Sequence, residues 1–400
     1  MPREKQVKTN RTLAAMSWAH IVGQKKQIEV LRRAVQTNRL ASAYLFIGQE
    51  GVGKDAVALE LAKVLNCLAD DALQRAEACD QCESCKQFAD LTHPNLEYVF
   101  PIEGILVKDI SEASKEREKQ ESALAQYKQL FAEKRRNPYF KMQMEKSMGI
   151  VAEQIEELIR KSLYKPSNGK MRVFLISQAE RMNTTAANRL LKLLEEPPPF
   201  VLFILTTSRL EQMLPTIVSR CQPLRFSALS SAEIAQALEA KSVAPERVAF
   251  AANFARGNFY KAQQLLENPL EQQWRDKALD WLRAILVSGR ELEMIRNIEE
   301  FAKKESSREE QLQVLSALLL LFQDALRYRA TGTDIDVINR DIVETVIKFS
   351  RAFPNADLDA AAAAVEDTIY QLTRNANALL ALAALSIRLK AVLNGKPVPV

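Results

Sequence analysis

The sequence lacks the features that mark several common functional classes. Its longest uninterrupted apolar run, from Ala378 to Leu385, is far shorter than the roughly 20 residues that a membrane-spanning helix requires. Only 2 of its 400 residues are histidine, and neither His20 nor His93 stands beside a cysteine nucleophile or a carboxylate pair in a recognisable arrangement. The sequence therefore predicts no membrane-spanning segment, and its histidines indicate no catalytic site.

A large excess of one charge sign is also missing. Lys and Arg number 55 and Asp and Glu 50, leaving a net charge of +5, which permits contact with nucleic acid without requiring it. The first residues, M-P-R-E-K, lack the apolar core of a secretory signal. We therefore expect a reducing cytoplasmic location without disulfides. Residues 1–16 are typical of a loose basic tail, and Met16 is a candidate alternative start.

The length and the pattern of apolar runs predict a multidomain protein that begins with an α/β domain. A chain of 400 residues exceeds the usual size of one domain. Short apolar runs lie at 43–47, 173–176 and 201–205, and they are separated by helical patterns. Such runs suit strands that are buried on both faces of a parallel sheet. After Phe226 every strong signal is helical.

A phosphate-binding loop follows the first predicted strand. The letters G-Q-E-G-V-G-K-D, beginning at Gly48, match G-x-x-x-x-G-K between a strand and a helix. Gly48, Gly51 and Gly53 let backbone N–H groups curl around phosphate, and Lys54 would reach the terminal phosphates. Asp55 stands where a Ser or Thr hydroxyl should hold Mg²⁺, and its carboxylate would add negative charge beside a triphosphate. The motif predicts a P-loop fold but argues against bound ATP.

The second predicted strand lacks the acidic pair that ATP hydrolysis uses to hold Mg²⁺ and to polarise water. Ser177 and Gln178 follow this strand. Glu180 lies past its end, and we interpret it as a structural carboxylate. Without the metal ligands and the base, a phosphate-binding loop can position the phosphates but cannot activate the attacking water. We therefore expect no useful ATP hydrolysis. The alternative is a working ATPase in which Asp55 and Glu180 coordinate Mg²⁺ in an altered way.

An arginine follows the third predicted strand. The strand ends in the polar tip 206–208, a common position for a sensor of bound phosphate, and the letters L-P-T-I-V-S-R-C begin at Leu214. Pro215 suits the first turn of a short helix, and Arg220 lies near its far end. A planar, permanently charged guanidinium suits spread negative charge, and a finger supplied in trans is worth roughly 10³ to 10⁵ in rate. Spacing alone also allows a solvated surface arginine.

Four cysteines have metal-ligand spacing. Cys79, Cys82 and Cys85 form two overlapping C-x-x-C turns, and Cys67 lies 12 positions before the first of them. Four thiolates in a reducing compartment predict a tetrahedral Zn²⁺ site, and the fourth Cys and Pro of the ferredoxin-type run are missing. Such a site leaves no position open for substrate, so the zinc would be structural. Free buried cysteines are the alternative. We interpret Cys221 as a packed small residue.

In combination, these motifs resemble the clamp-loader branch of the AAA+ proteins. The motifs that carry the resemblance are V-G-Q at 22–24, A-Y-L-F at 43–46, A-N-R-L-L-K at 187–192, L-E-E-P-P at 194–198 and S-R-C at 219–221.

The resemblance implies a place in a hetero-pentameric ring that opens a sliding clamp and places it on primed DNA. In that family the Ser-Arg-Cys element carries the finger that acts on the ATP of the adjacent subunit, which corresponds to Arg220. Bacterial members carry a zinc module where the four cysteines lie. The missing hydroxyl and acidic pair fit a non-hydrolysing subunit, while Lys261 stands roughly where an Arg sensor is common. A stand-alone zinc protein that binds DNA is a third possibility.

The pattern and the resemblance together predict the order of the domains. We expect a basic tail at 1–16, an AAA+ domain at 17–226 with a zinc module at about 67–85 and an inserted solvent-facing helical segment at about 108–147, a helical lid at 227–268, and a helical collar at 269–400.

Overall fold

The structure is a computed structural model that describes residues 16–395 with short gaps. The gaps are residues 108–113, 145, 148, 167–169, 240–242, 268–269, 287–294, 297, 300–307, 334–336, 338–341 and 375. The expected basic tail, apart from Met16, and the start of the expected insertion lie outside the described residues. The chain divides into two compact units, residues 1–241 with 256–261 and residues 242–255 with 262–400. This division falls within the expected lid, whose boundaries stay a prediction.

A five-stranded parallel sheet forms the centre of the first unit and confirms the predicted α/β fold. Its strand order is β2-β3-β4-β1-β5, and every neighbouring pair is parallel. The strands are β1 (Ala43–Ile47), β2 (Leu96–Val99), β3 (Arg172–Ile176), β4 (Val201–Thr207) and β5 (Gln222–Arg225).

Helices connect and cover these strands. They are α1 (Lys25–Gln36), α2 (Lys54–Asn66), α3 (Ala72–Arg75), α4 (Glu83–Ala89), α5 (Ser114–Arg136), α6 (Ala152–Ser162), α7 (Thr184–Glu195), α8 (Pro215–Val218) and α9 (Ser231–Leu238). Helix α7 begins at the side chain of Asn183, which accepts a hydrogen bond from the N–H of Ala186 at 2.7 Å. It ends just before the Pro-rich turn at 197–199, because proline lacks the N–H that would continue the helix.

The interior strand β1 explains why the apolar runs are continuous. On β1, Tyr44 and Phe46 belong to one buried cluster, whereas Leu45 and Ile47 belong to another on the opposite face. Alternate side chains of a strand point to opposite faces, so a strand covered on both sides needs an apolar residue at every position. The sheet therefore holds the loop after β1 on a rigid support.

The second unit is helical. It contains α10 (Pro245–Phe254), most of α11 (Phe259–Glu267), α12 (Leu270–Leu286), α13 (Arg308–Thr331), α14 (Val343–Ala352), α15 (Leu358–Thr373) and α16 (Ala378–Leu393). Trp281 of α12 is buried and donates its indole N–H to the hydroxyl of Ser386 on α16 at 3.2 Å. Phe322 of α13 is fully buried. Helices of the expected collar region thus pack against one another through buried side chains.

The inserted segment forms the expected helix, α5, but the expectation that it faces solvent is wrong for its second half. Lys134, Met142 and Met144 are 1%, 0% and 0% exposed, respectively. Phe100 and Tyr127 stack with ring centroids 5.6 Å apart, which fixes α5 to the sheet domain. Apolar residues such as Leu130 and Met142 are therefore buried and anchor the segment, while Leu124 is exposed.

Within the described part of the chain, no helix is long and apolar enough to cross a bilayer.

Candidate functional site

The phosphate loop lies at the carboxyl end of β1 and leads directly into α2. Gly51 and Gly53 have φ angles of 71° and 98°, values that side chains other than glycine rarely adopt. Gly48 passes so close to Phe226 that an added Cβ would lie 2.5 Å from its carbonyl oxygen. The three glycines are thus required by the backbone path, whether or not phosphate binds.

Lys54 is folded back onto its own loop. Its ammonium donates to the carbonyl oxygens of Gly48 and Gln49 at 2.6 and 2.7 Å, and the residue is only 8% exposed. Burial lowers the pKa of Lys54, although nearby Asp55 opposes this effect. The lysine that would reach a terminal phosphate is therefore already satisfied by carbonyl groups.

The carboxylate of Asp55 accepts hydrogen bonds from three hydroxyl groups. Tyr98 Oη and Ser177 Oγ donate to Oδ2 at 2.6 and 2.8 Å, and Thr206 Oγ1 donates to Oδ1 at 2.9 Å. The ammonium of Lys134 lies 3.5 Å from Oδ2. The ends of β2, β3 and β4 and the inserted helix thus converge on one carboxylate.

This environment keeps Asp55 ionised. Burial by itself would raise the pKa of this carboxyl, but the Lys134 ammonium and the hydrogen bonds from Tyr98 and Ser177 outweigh burial and hold the pKa below its ordinary value. A buried anion paired with a buried cation and fully hydrogen-bonded satisfies the requirement for a stable internal charge. The position that normally offers a hydroxyl to Mg²⁺ is therefore occupied by an internal ion pair.

The residues that directly follow β3 bind the inserted segment and provide no carboxylate pair for a metal ion. Gln178 has a left-handed backbone with φ 57°, and its amide donates to the carbonyl of Met142 at 2.6 Å. Glu180 accepts hydrogen bonds through Oε1 from the N–H and hydroxyl of Ser208, at 3.2 and 2.9 Å. The residues that follow β3 therefore bind other parts of the same domain.

The loop after α5 covers the glycine loop. Tyr139 is 6% exposed, and its hydroxyl accepts a hydrogen bond from the N–H of Val22 at 2.7 Å. Its ring also lies 3.0 Å from where a Cβ on Gly53 would be. From another direction, the N–H of Phe259 donates to the carbonyl of Gly51 at 3.0 Å. Both sides of the loop are thus in contact with protein.

What remains open at the loop is small. The cavity lined by Lys54, Asp55, Lys134, Tyr139 and Thr206 measures about 60 Å³, whereas pockets for small-molecule ligands are typically about 300–1,000 Å³. In this conformation the enclosed space beside Lys54 and Asp55 is therefore small.

Arg220 lies just after the four-residue helix α8, which begins at Pro215 as predicted. Its Nε donates to Oε1 of Glu195 at 2.9 Å, a second guanidinium nitrogen contacts the same oxygen, and Nη1 donates to the carbonyl of Thr216 at 2.8 Å. The side chain is 32% exposed and that of Glu195 48%. Arg220 is therefore at the surface, held by a partner within its own chain.

The four predicted cysteine ligands come together. The Sγ atoms of Cys67, Cys79, Cys82 and Cys85 all lie within 4.8 Å of one another, and those of Cys79 and Cys85 are 3.9 Å apart. A tetrahedron with Zn–S bonds of about 2.3 Å has sulfurs about 3.8 Å apart. The cluster can therefore hold a metal ion, and its donor set fits zinc.

Backbone N–H groups support this cluster. The N–H groups of Cys79, Cys82 and Cys85 each point at the sulfur of another cysteine, at 3.3, 3.4 and 3.5 Å. Burial opposes ionisation of Cys79, but N–H groups and neighbouring thiols outweigh it and lower its pKa to about 6. Burial raises the pKa of Cys85. A divalent cation is the charge that would let all four become thiolates. Cys221 is buried elsewhere, in the core beside β4.

Sequence reasoning missed Tyr98, Lys134 and Tyr139. A lysine within a helix rich in Lys and Glu is indistinguishable from its solvated neighbours, because only the fold shows that it faces a buried carboxylate. A usable signal for Tyr139 was the N-P-Y-F turn at 137–140, since an aromatic pair just after a polar helix indicates a chain that returns to a core.

Known protein families match both parts of the chain. The model described as DNA polymerase III, delta subunit, matches residues 23–230, just over half of the chain. The model for the C-terminal part of the same subunit matches residues 276–390.

Individual relatives agree with these matches. The DNA polymerase III subunit delta' of Bacillus subtilis is 27% identical over 334 residues, which cover 83% of this chain and 86% of that protein. The tau/gamma subunit of Haemophilus influenzae is 30% identical over 227 residues, 56% of this chain and 25% of that protein. The tau subunit of Escherichia coli is 28% identical over 225 residues, 56% of this chain and 27% of that protein. Similarity to delta' thus runs through most of both chains, while the tau relatives match only a part.

Proposed function

The chain belongs to the family of DNA polymerase III delta subunits, and from this premise we propose that it is a non-hydrolysing, delta prime-type subunit of a clamp loader. In this role it completes a hetero-pentameric ring together with other clamp-loader subunits. The ring loads a sliding clamp on primed DNA in the cytoplasm. The single observation that carries the proposal is the Asp55 network. It fills the place where a P-loop enzyme keeps its metal ion and attacking water.

Three features support the absence of turnover. Ser177 and Gln178 supply neither a metal ligand of the usual charge nor a base, and Ser177 is committed to Asp55. Lys54 is bonded to loop carbonyls. The rival interpretation is a working ATPase with Mg²⁺ on Asp55 and Glu180. Oδ2 of Asp55 already accepts from Tyr98 and Ser177 and is paired with Lys134, so this oxygen would have to lose partners before it could bind a cation. Glu180 accepts from Ser208 through Oε1 alone, and its Oε2 is buried without a hydrogen-bond partner.

Arg220 is the residue that we propose acts on the ATP of a neighbouring subunit. An exposed ion pair such as that with Glu195 is worth about 0–1 kcal/mol. A finger worth roughly 10³ to 10⁵ in rate stabilises a transition state by about 4–7 kcal/mol. It is therefore favourable for the Arg220 guanidinium to leave Glu195 and bind the phosphate of the neighbour's ATP. Until then, the weak pair with Glu195 orients the guanidinium.

The finger is tested in a clamp loader reconstituted with its partner subunits. We expect Arg220→Ala to assemble normally and to lower ATP turnover at its neighbour's site by at least about 10³-fold. Arg160→Ala is the matched control, since Arg160 is also an exposed arginine in an ion pair, with Glu157. Glu195→Gln keeps the finger and should retain turnover. Unchanged turnover in Arg220→Ala would refute the role.

We further propose that the cysteine cluster holds a structural Zn²⁺. Cys67 lies at the end of α2, and the other three lie before and within α4, so the metal would fasten this module to the helix that begins at the phosphate loop. The third possibility, a stand-alone zinc protein that binds DNA, predicts tight, salt-sensitive duplex binding by the isolated chain. Gel filtration with and without the other subunits separates it from the clamp-loader role.

A further inference from the structure

Residues 134–144, which we call the closing segment, contact the nucleotide pocket at four separate points. Lys134 faces Asp55 at 3.5 Å, and Lys141 forms an ion pair with Glu50 of the glycine loop at 2.7 Å. The remaining two points are the contacts of Tyr139 with Val22 and of Met142 with Gln178. Three of these contacts involve buried or half-buried groups, whereas the Lys141–Glu50 pair is exposed.

The pocket and the closing segment together contain the charges that a bound nucleotide and its metal would bring. Asp55 supplies a negative oxygen within the loop that is built to receive phosphate. Lys134 supplies the cation beside it, from a position 1% exposed. Its ammonium also donates to the carbonyl of Phe140 at 2.7 Å, so the same residue shapes the turn that presents Tyr139.

We propose that the closing segment is a built-in occupant of the nucleotide pocket. It takes space beside the glycine loop that a nucleoside triphosphate would use and pairs its lysines with Asp55 and Glu50 of that loop, so the domain keeps one conformation whether or not nucleotide is present. This rests on the part of the proposed function that denies turnover to this chain, and it adds the physical cause. For nucleotide to enter, Tyr139 must leave Val22, and Lys134 and Phe140, which line the same cavity, must move.

The pocket is tested on the isolated full-length chain with a fluorescent ADP analogue and with Mg²⁺–ATP. We expect the wild type to show no saturable binding up to about 1 mM, the upper end of the usual KM range. The triple variant Asp55→Thr, Lys134→Met, Tyr139→Ala removes the internal ion pair as a pair and opens the cover. It should bind with a Kd at least tenfold lower than that limit.

Two matched variants control for unspecific effects. Tyr164→Ala removes a tyrosine that is 66% exposed, and Lys128→Met removes an exposed lysine from the same helix as Lys134. Both should behave as the wild type does. Saturable binding by the wild type would overturn the proposal, and so would a folded triple variant that binds no better than the wild type.

A conservative variant keeps the proposal testable even where the triple variant does not fold. Tyr139→Phe retains the ring and removes only the hydroxyl that accepts from Val22. In nucleotide-free protein we expect hydrogen exchange at the Val22 amide to become at least tenfold faster, while Mg²⁺–ATP changes exchange in neither protein. Unaltered exchange at Val22, or protection of the loop by ATP in the wild type, contradicts a built-in occupant.

These measurements involve neither Arg220 nor any partner subunit. A finger that failed its test would leave the binding and exchange results standing. Conversely, a pocket that admitted nucleotide would leave the effect of Arg220→Ala on the complex unchanged. The two proposals therefore succeed or fail separately.

Discussion

At the scale of single residues, the replacement of a hydroxyl by Asp55 accounts for most of the unusual chemistry of the loop. A carboxylate at this position cannot remain buried without partners. Tyr98, Ser177 and Thr206 turn their hydroxyls toward it, and Lys134 supplies the opposite charge. The carboxylate of Asp55 is thereby part of a buried hydrogen-bond network.

Removing one partner of the Asp55–Lys134 pair should lower the free energy of unfolding far more than replacing both partners together. Lys134→Met leaves Asp55 buried without its charge partner, so we expect a loss of about 3–5 kcal/mol in the free energy of unfolding. The double variant Asp55→Asn, Lys134→Met should lose much less than the sum of the two single variants. Urea unfolding of all four proteins measures this coupling. Lys128→Met, on the exposed face of α5, should stay within about 0.5 kcal/mol, and strictly additive losses would contradict the pairing.

The lowered pKa of Asp55 predicts a pH dependence of stability. Because the folded state holds this carboxyl at a lower pKa than the unfolded chain, its contribution is complete above the ordinary value of 3.8. It is lost as the pH falls through the folded value. We expect the wild type to lose stability more steeply below about pH 4 than Asp55→Asn, measured by chemical unfolding at several pH values. Equal slopes in this acid range would show that Asp55 does not titrate as described.

At the scale of elements, α2 joins two functions. Its first turn carries Lys54 and Asp55, and its last residue, Asn66, precedes the ligand Cys67. Asn66 is fully buried and its amide donates to the carbonyl of Met171 at 2.9 Å. A metal at the cysteine cluster would therefore stiffen the same helix that positions the phosphate loop.

Metal analysis tests the module at this scale. We expect close to one zinc ion per purified chain, and we expect Cys82→Ser to lose most of it, because three ligands and a water bind zinc less tightly than four thiolates. Cys221→Ser is the matched control, since Cys221 is also buried but lies outside the cluster. Elemental analysis and thermal unfolding report the outcome. Full zinc content in a variant lacking all four ligands would rule out the assignment.

At the scale of the whole molecule, we expect the second unit to offer a surface for assembly with other subunits. Along α16, Leu380 and Ile387 are 68% and 55% exposed, and their spacing of seven puts them on one face of the helix. Both residues lie within the range 276–390, which matches the C-terminal family model. Exposed apolar residues in a row on a helix commonly mark a contact with another protein.

Charge on this face should weaken assembly without unfolding the chain. We expect Leu380→Glu to keep its melting temperature, because the side chain is already in solvent. We also expect it to associate with the other clamp-loader subunits at least tenfold more weakly in sedimentation or gel filtration. Leu163→Glu, at a leucine that is 71% exposed outside the collar region, is the control. Equal association by both variants would remove this face from the interface.

Local patterns were sufficient for the features that depend on neighbours in the chain. The strands β1, β3 and β4 are continuous apolar runs because they are covered on both faces, and glycines at 48, 51 and 53 are required by the turn itself. The cysteine cluster was also predictable, since three of its members share one turn and the fourth ends the preceding long helix. Periodicity and spacing encode these features directly.

Only the tertiary structure decided what the phosphate loop does. Its sequence argues against bound ATP, and the fold adds contacts to this loop from Lys134 and Tyr139, some 80 residues away. No local pattern reveals that a lysine in a charged helix faces a particular carboxylate, because this depends on how a long insertion folds back across the sheet. The sequence by itself determined which polar and charged groups stand at the phosphate loop. The fold determined that groups of the inserted segment contact them, because these contacts join residues far apart in the chain.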